Sequence, residues 1–197
     1  MFLSPVIAAL LTLCPSAAFA SPAVGLHAEL PTLHSPMARY SGEDVEHRVP
    51  ISLGGRAALD FGLGSTRSLG VGLGARTAAM DLGRVEQGMI DISYAEALPG
   101  SGIWAPWWEA GLGAEVIRLL DHDGEAAALH LGPRFFGGLG TVLGYGRLRP
   151  ALGVRASFTA ATGDFELSDV EIDDETLERF YMPSVLVLAG TIGLRFQ

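Results

Sequence analysis

The sequence predicts an all-β fold, an eight-stranded antiparallel up-and-down transmembrane β-barrel, on three observations. Apolar side chains alternate with small or polar ones along most of the chain after residue 20, and a period of two is typical of strands. Hydrophobic residues make up 49% of the chain, yet no later apolar run approaches the roughly twenty residues that a membrane helix needs. Longer polar connections alternate with short glycine-rich ones, as in barrels with loops at one end and turns at the other.

The alternation is clearest in the last stretch, residues 184–197. One face carries the apolar or small residues Leu186, Leu188, Gly190, Ile192, Leu194 and Phe196. The opposite face carries a charge, Arg195, beside the terminal aromatic. An amphipathic strand of about ten residues that finishes in an aromatic side chain suits the wall of a transmembrane barrel.

Seven further segments alternate in the same way. They span residues 23–30, 51–63, 69–77, 90–95, 104–120, 126–143 and 152–159. The connections near Ser65, Gly100 and Gly146 are short, and those near residues 44, 84, 122 and 173 are longer and polar. Eight strands return the chain to the end of the barrel at which it began, so the last strand should end on the short-turn side.

Prolines and polar residues set the expected limits of these segments. Pro31 is expected to end the first strand, and residues 34–48 and 81–87 are expected to form polar loops. Because proline cannot donate to a strand ladder, Pro133 predicts a bulge, with residues 134–143 alone spanning the membrane. Residues 162–179 form the longest stretch without alternation, and residues 174–180 could form a helical turn there.

Residues 1–20 have the features of a cleaved secretory signal peptide. Residues 2–13 form an apolar run, and the Ala-Phe-Ala sequence at 18–20 provides a cleavage site ahead of Ser21. The bulky Leu13 before Cys14 argues against lipidation of that cysteine. Cleavage after Ala20 would leave residues 21–197 as a single domain without cysteine, so the fold would not depend on disulfides.

The charged residues argue against one class of partner and predict the content of the barrel. The formal net charge is −9, which disfavours nucleic acid, since phosphate binding needs clustered basic side chains. Charges of both signs fall on the face opposite the large apolar residues. Because buried charges persist only when paired, this face predicts an interior polar network of Arg56, Asp60, Arg76, Asp91, Glu109, Glu115, Arg134, Arg155 and Arg195.

Aromatic residues cluster near the predicted turns. Amphipathic rings prefer membrane interfaces, and the cluster predicts an aromatic girdle of Trp104, Trp107, Trp108, Tyr145 and Phe196. Phe61 should lie at the same end, and Phe180 and Tyr181 at the other. An ordinary core cluster of tryptophans is the alternative interpretation.

The chain resembles the small eight-stranded outer-membrane β-barrels, the class that includes the OmpA-type transmembrane domain. The resemblance is carried by the Ala-Phe-Ala signal site, the alternating glycine-rich strands and the terminal Thr-Ile-Gly-Leu-Arg-Phe-Gln, where Gln197 follows the usual final aromatic. It implies a monomer in the outer membrane of a Gram-negative bacterium, with outer-membrane lipid, lipopolysaccharide and the barrel-assembly machinery as partners. We therefore expect no peptidoglycan-binding domain and no wall-anchoring role.

Two polar stretches are candidates for metal binding. Asp121, His122 and Asp123 offer suitable ligands, but three adjacent residues in a strand connection cannot all converge on one ion. An acidic loop contains Asp164, Glu166, Asp169, Glu171, Asp173, Asp174 and Glu175, which could meet Ca²⁺ or the cations that bridge lipopolysaccharide. It lacks the spacing of an EF-hand, so a solvated loop is the preferred interpretation, and no metal or cofactor is predicted.

The sequence contains no convincing catalytic constellation. His130 and Ser157 lie on adjacent predicted strands and both face inward, but no nucleophile motif accompanies them. We therefore expect a structural or surface-interaction role through the extracellular loops rather than an enzyme. The alternatives are a narrow passive channel through the porin-like barrel and a lipid-modifying outer-membrane enzyme.

Overall fold

The computed structural model describes residues 19–34, 38–40, 46–47, 52–80, 83–100, 103–120, 123–124, 126–160, 171–172, 175–176, 180–181 and 185–196. Within these residues, eight long strands close into an antiparallel barrel. They are β1 (Phe19–His34), β2 (Leu53–Leu63), β3 (Arg67–Met80), β4 (Gly83–Ala97), β5 (Trp104–Leu120), β6 (Ala126–Leu143), β7 (Leu148–Thr159) and β8 (Val185–Phe196). Each strand pairs with its sequence neighbours and β1 pairs with β8, which confirms the predicted eight-stranded up-and-down fold.

The two ends of the barrel differ. The β2–β3, β4–β5 and β6–β7 connections and the end of β8 lie at one end, which we call the turn end. Gly64, Gly144 and Gly146 have φ angles of 94°, 81° and 107° in these turns, a conformation that glycine adopts without steric cost. The other four connections lie at the opposite end, which we call the loop end.

Side chains alternate between the two surfaces of the wall. On β3, Val71 and Leu73 are exposed on the outside, whereas Gly72 and Arg76 are buried inside. Every strand contributes exposed apolar residues to the outside, including Leu26, Leu59, Leu73, Ile92, Leu112, Phe135, Val154 and Leu188. The barrel therefore presents apolar side chains along the outside of its wall and buries many of its charged side chains inside. The described residues contain no helix that is long and apolar enough to cross a bilayer.

β1 extends further than predicted. It continues through Pro31 to His34, and Pro31 pairs with Ala189 on β8. The prediction that Pro31 ends the strand is therefore wrong. The register shifts between Pro31 and Leu33, and this irregularity accommodates a residue that cannot donate to the ladder.

The β3–β4 connection is shorter than predicted. Met80 pairs with Gly83, so residues 81–82 join the strands, and the predicted polar loop over 81–87 is wrong. Arg84 and Glu86 instead continue the strand, where they form an exposed ion pair at 2.9 Å. These polar side chains can face outward because the strand extends past the apolar part of the exterior toward the loop end.

Pro133 lies in regular register, and the bulge predicted at this position is wrong. It pairs with Ala114 on β5 without a register shift. Toward β7, pairing begins one residue later, at Arg134 and Thr159, so the missing N–H of proline interrupts no ladder bond. The Pro133 carbonyl still accepts a hydrogen bond from the Ala160 N–H at 3.0 Å.

Short strands join parts of the two longest connections. Residues 38–40 pair with 46–47 and with 180–181, so the β1–β2 and β7–β8 connections share a three-stranded sheet. Residues 171–172 pair with 175–176. The described residues of 34–48 and 174–180 are therefore extended, because backbone pairing satisfies their hydrogen bonds. For these residues, the predicted loop at 34–48 and the predicted helical turn at 174–180 are wrong.

The predicted signal peptide lies mostly outside the described residues. Phe19 and Ala20 belong to β1, where they pair with Leu63 and Gly62, and a register shift separates them from Ala23. Cleavage after Ala20 would remove two residues beyond this irregularity and leave the pairing from Ala23 onward in place. The cleavage itself stays a prediction.

Candidate functional site

The barrel interior contains two chains of buried ion pairs. The first is centred on Glu29 of β1, which lies between guanidinium groups from β3 and β7. Arg76 donates to its Oε2 from Nη2 at 2.7 Å and from Nε at 3.0 Å. Arg155 donates to the other oxygen, Oε1, and also to Glu109 of β5 through Nε at 2.8 Å. This chain therefore ties four strands together across the lumen.

The second chain is centred on Asp91 of β4, which is fully buried. Arg56 of β2 donates to both of its oxygens, at 3.0 Å from Nε and 2.5 Å from Nη2. Arg134 of β6 donates to Oδ2 at 3.4 Å, and its Nε lies 3.7 Å from Glu115 of β5. The hydroxyl of Thr159 on β7 donates to the same Glu115.

Phe136 of β6 lies where the two chains meet. The guanidinium carbons of Arg134 and Arg155 are each 5.1 Å from the centroid of its ring, and that of Arg56 is 5.6 Å away. Each cation is attracted by the electron-rich ring face, an interaction that strengthens when water is excluded. The ring also occupies the centre of an eight-stranded barrel, whose interior is just wide enough for side chains to fill it.

The charges in these two chains balance. Four guanidinium groups face four carboxylates, those of Glu29, Asp91, Glu109 and Glu115, and none of the eight residues is more than 7% exposed. Desolvation of a buried pair can cancel much of its attraction, so the intact network is not in itself a large source of stability. Its effect is to fill the lumen with side chains that hold one another in place.

Glycines on the inward face provide the room for this network. A Cβ atom at Gly72 would lie 2.5 Å from Arg56 Nη2 and 2.5 Å from Asp91 Oδ1, closer than side-chain atoms approach. At Gly113, a Cβ would lie 2.9 Å from that of Asp91. The period-two glycines therefore leave space for the ion pairs of neighbouring strands.

The structure places all nine residues of the predicted polar network on the inward face. Seven of them belong to the two chains, and the other two, Asp60 and Arg195, pair with each other at 3.2 Å near the turn end. Glu29 and Phe136 were absent from the prediction, although both contact several network residues. Glu29 lies between Ala28 and Leu30, which face outward. This alternation is the signal that could have identified Glu29 as an inward-facing residue.

The predicted aromatic girdle is only partly assembled. Trp104, Tyr145 and Phe196 are exposed at the turn end, and Trp108 is half-buried against Tyr94, with ring centroids 5.4 Å apart. The structure places Trp107 on the inward face instead, where it lines a cavity. Its assignment to the girdle is therefore corrected, since odd-numbered residues of β5 face inward.

The remaining candidates do not form a metal site in the described part of the chain. No cluster of three or more His, Cys, Asp or Glu residues suited to a metal ion occurs there. Of the acidic loop, Glu171 and Glu175 lie in short strands, and the other five residues lie outside the described ones, as do Asp121 and His122. His130 and Ser157 are both buried on the inward face.

Comparison with solved structures shows which fold this is. Neisserial surface protein A (NspA) superposes with a TM-score of 0.63 at 10% identity, covering 91% of this chain and 98% of that one. The outer membrane protein OprG from Pseudomonas aeruginosa gives a TM-score of 0.60 at 10% identity, over 90% and 96% of the two chains. No protein-family model and no curated protein sequence matches the chain. The fold is that of the small eight-stranded outer-membrane β-barrels.

Proposed function

We propose that this protein is an integral outer-membrane barrel that acts structurally or in surface interaction, through the segments at its loop end. The observation that carries the proposal is the inverted distribution of polarity. Apolar side chains such as Leu73 and Phe135 are more than half exposed on the outside, while eight charged residues of the ion-pair chains are buried inside. This arrangement is stable when lipid covers the exterior.

Leu73→Arg tests the membrane location. Leu73 is 60% exposed near the middle of β3, and an arginine near the bilayer midplane should lower the free energy of unfolding by about 2–4 kcal/mol. Urea unfolding of liposome-inserted protein, followed by tryptophan fluorescence, measures the change. Thr77→Arg is the control, because Thr77 has the same outward orientation closer to the loop end and should lose only about 0–1 kcal/mol. Equal small losses in both variants would contradict a lipid-covered exterior.

The other two candidate functions receive less support. A passive channel needs an open lumen, but Phe136 and the surrounding ion pairs fill its centre. A lipid-modifying enzyme needs a nucleophile and a base that reach the lipid, whereas His130 and Ser157 are buried inside the wall. The loop end therefore remains the favoured location of function.

The loop end carries a strongly acidic segment, residues 163–179, with eight acidic side chains and one arginine. We infer that its partner is cationic or is bridged by divalent cations. The short strands within it pair only with each other, so the described barrel ladders do not depend on the segment. The three-stranded sheet of the loop end uses residues 180–181, outside the segment.

Deletion of residues 163–179 tests this role. The variant should still run faster on a gel when unboiled than when boiled, as a closed barrel does, because the eight strands are intact. Binding of a fluorescent oligolysine peptide to protein in liposomes should fall about tenfold, the loss expected for a few exposed ion pairs. A variant in which the acidic residues become their amides separates charge from length. Unchanged oligolysine binding, or loss of the folded band, would count against a role confined to this segment.

A further inference from the structure

A groove of about 460 Å³ crosses the outside of the wall between β2 and β5. Its floor contains two small outward-facing residues, Ala75 of β3 and Gly88 of β4, which are register partners. A Cβ atom added at Gly88 would meet no atom within 4 Å, so the space above the floor is open. Leu53 of β2 and Val116 of β5 flank the floor, and both are exposed. This part of the groove therefore suits a flexible hydrocarbon chain.

Charged side chains line the groove on the side of the loop end. Glu86 and Arg118 are register partners, one outward position nearer the loop end than Gly88 and Val116. The Glu86 carboxylate lies 2.9 Å from the Arg84 guanidinium and 3.9 Å from that of Arg118, and both guanidinium groups are about half exposed. Each guanidinium has five N–H donors, whereas one carboxylate offers about four acceptor positions. These three residues, the rim cluster, therefore retain donors for a second anion.

The rim cluster lies at the edge of the apolar exterior. Among the barrel-strand side chains that the structure describes, the other outward-facing charges are Arg67 and Glu96, near the turn end. Arg118 follows the outward-facing Trp108 by ten residues of β5. Ten residues at about 3.3 Å each, on a strand tilted by about 40°, cover about 25 Å along the barrel axis, the height of the apolar band of such barrels. With the exterior in lipid, as in the proposed function, the rim cluster lies at the depth of the lipid phosphates.

An apolar groove that ends at two guanidinium groups is complementary to a molecule with a hydrocarbon chain and an anionic head. A phosphate monoester carries a charge of about −1.5 to −2 at pH 7, and guanidinium forks bind phosphate oxygens in pairs. We propose that this groove binds a membrane lipid whose head group is a phosphate monoester. An acyl chain lies over Ala75 and Gly88, and the phosphate accepts hydrogen bonds from Arg84 and Arg118. The inference rests on the proposed membrane location and is independent of the acidic segment.

Native mass spectrometry of the folded barrel in detergent tests the site, because it counts bound lipids at defined lipid concentrations. Phosphatidic acid, a monoester, should bind at least about tenfold more tightly than phosphatidylglycerol, a diester with the same acyl chains. Inorganic phosphate in about tenfold excess should not displace phosphatidic acid, since the acyl chain contributes to the affinity. Equal binding of the two lipids would overturn the monoester assignment, and displacement by phosphate would overturn the role of the groove.

Variants separate the charge from the groove. The double variant Arg84→Gln with Arg118→Gln should weaken phosphatidic acid binding about tenfold, whereas Arg67→Gln should leave it unchanged. Arg67 is the matched control, because it is exposed, faces outward and pairs with Glu96 at 3.2 Å, but lies near the turn end. Gly88→Leu should also weaken binding about tenfold, because its side chain enters the open space of the groove.

Heat-dependent gel mobility verifies that each variant is folded. If Gly88→Leu does not fold, the arginine variants and the comparison of the two lipids still decide, since both arginines are exposed. Full binding by the folded double arginine variant, or equal weakening in Arg67→Gln, would overturn the site. The Leu73→Arg experiment tests the membrane location separately. A barrel that passes that test but binds both lipids equally would therefore contradict this inference alone.

Discussion

Asp91→Asn is expected to lower the free energy of unfolding by about 3–5 kcal/mol, the range for breaking a buried ion pair by removing one charge. Asp91 is fully buried and accepts hydrogen bonds from both Arg56 and Arg134. Asparagine has nearly the same volume, so the loss reports charge rather than packing. The second chain would then hold two guanidinium groups but a single carboxylate, Glu115, whose distance to Arg134 is 3.7 Å.

Urea unfolding in detergent, followed by tryptophan fluorescence, measures the effect of Asp91→Asn. The matched control is Asp123→Asn, because Asp123 is exposed at the loop end and its loss should change stability by no more than about 0.5 kcal/mol. The double variant Arg56→Gln with Asp91→Asn restores neutrality and should recover part of the loss. A loss below about 1 kcal/mol in Asp91→Asn, comparable to an exposed pair, would mean that the interior is hydrated rather than sealed by ion pairs.

Phe136→Ala is expected to cost about 3–5 kcal/mol and to open the lumen. The ring contacts three guanidinium groups, so its removal deletes three cation–π interactions as well as the central packing. The space left behind is lined by charged groups and is therefore suited to water. A continuous water-filled path through the barrel would allow ions to pass.

Planar-bilayer recording tests whether Phe136→Ala opens the lumen, and urea unfolding measures its loss of stability. The unmodified protein should show no discrete conductance steps, and Phe136→Ala should show them. Phe135→Ala is the control, since Phe135 is the adjacent residue of β6 and points outward, 53% exposed. Removal of the Phe135 ring leaves no interior cavity. Phe135→Ala should therefore lose less stability than Phe136→Ala and should show no conductance steps. Steps in the unmodified protein would instead favour the narrow-channel alternative.

The strands were predictable because each depends on local pattern. Arg155 faces inward since its neighbours Val154 and Ala156 face outward, and a period of two requires no knowledge of the partner strand. The limits of β5 and β6 also follow from this alternation, and both agree with the predicted segments 104–120 and 126–143. Pro31 and Pro133 were misjudged because the effect of proline depends on which side of the strand lacks a ladder partner.

The contacts between strands were decided by barrel closure. Glu29 and Arg155 are 126 residues apart, and they meet because β1 pairs with β8 and β8 with β7. Trp107 is a different case, because its inward position follows from the alternation along β5 alone. Its proximity in sequence to Trp104 and Trp108 led instead to the prediction of a common girdle.

The eight barrel strands, their faces and the charged content of the interior could be predicted from the amino-acid pattern, because these follow from the alternation of side chains along one strand. The pairing of the charges, the contacts of Phe136 and the placement of Arg149 opposite Arg195 depend instead on the folded barrel. The reason is register: a side chain's face is a property of its own strand, but its partner depends on how two distant strands align.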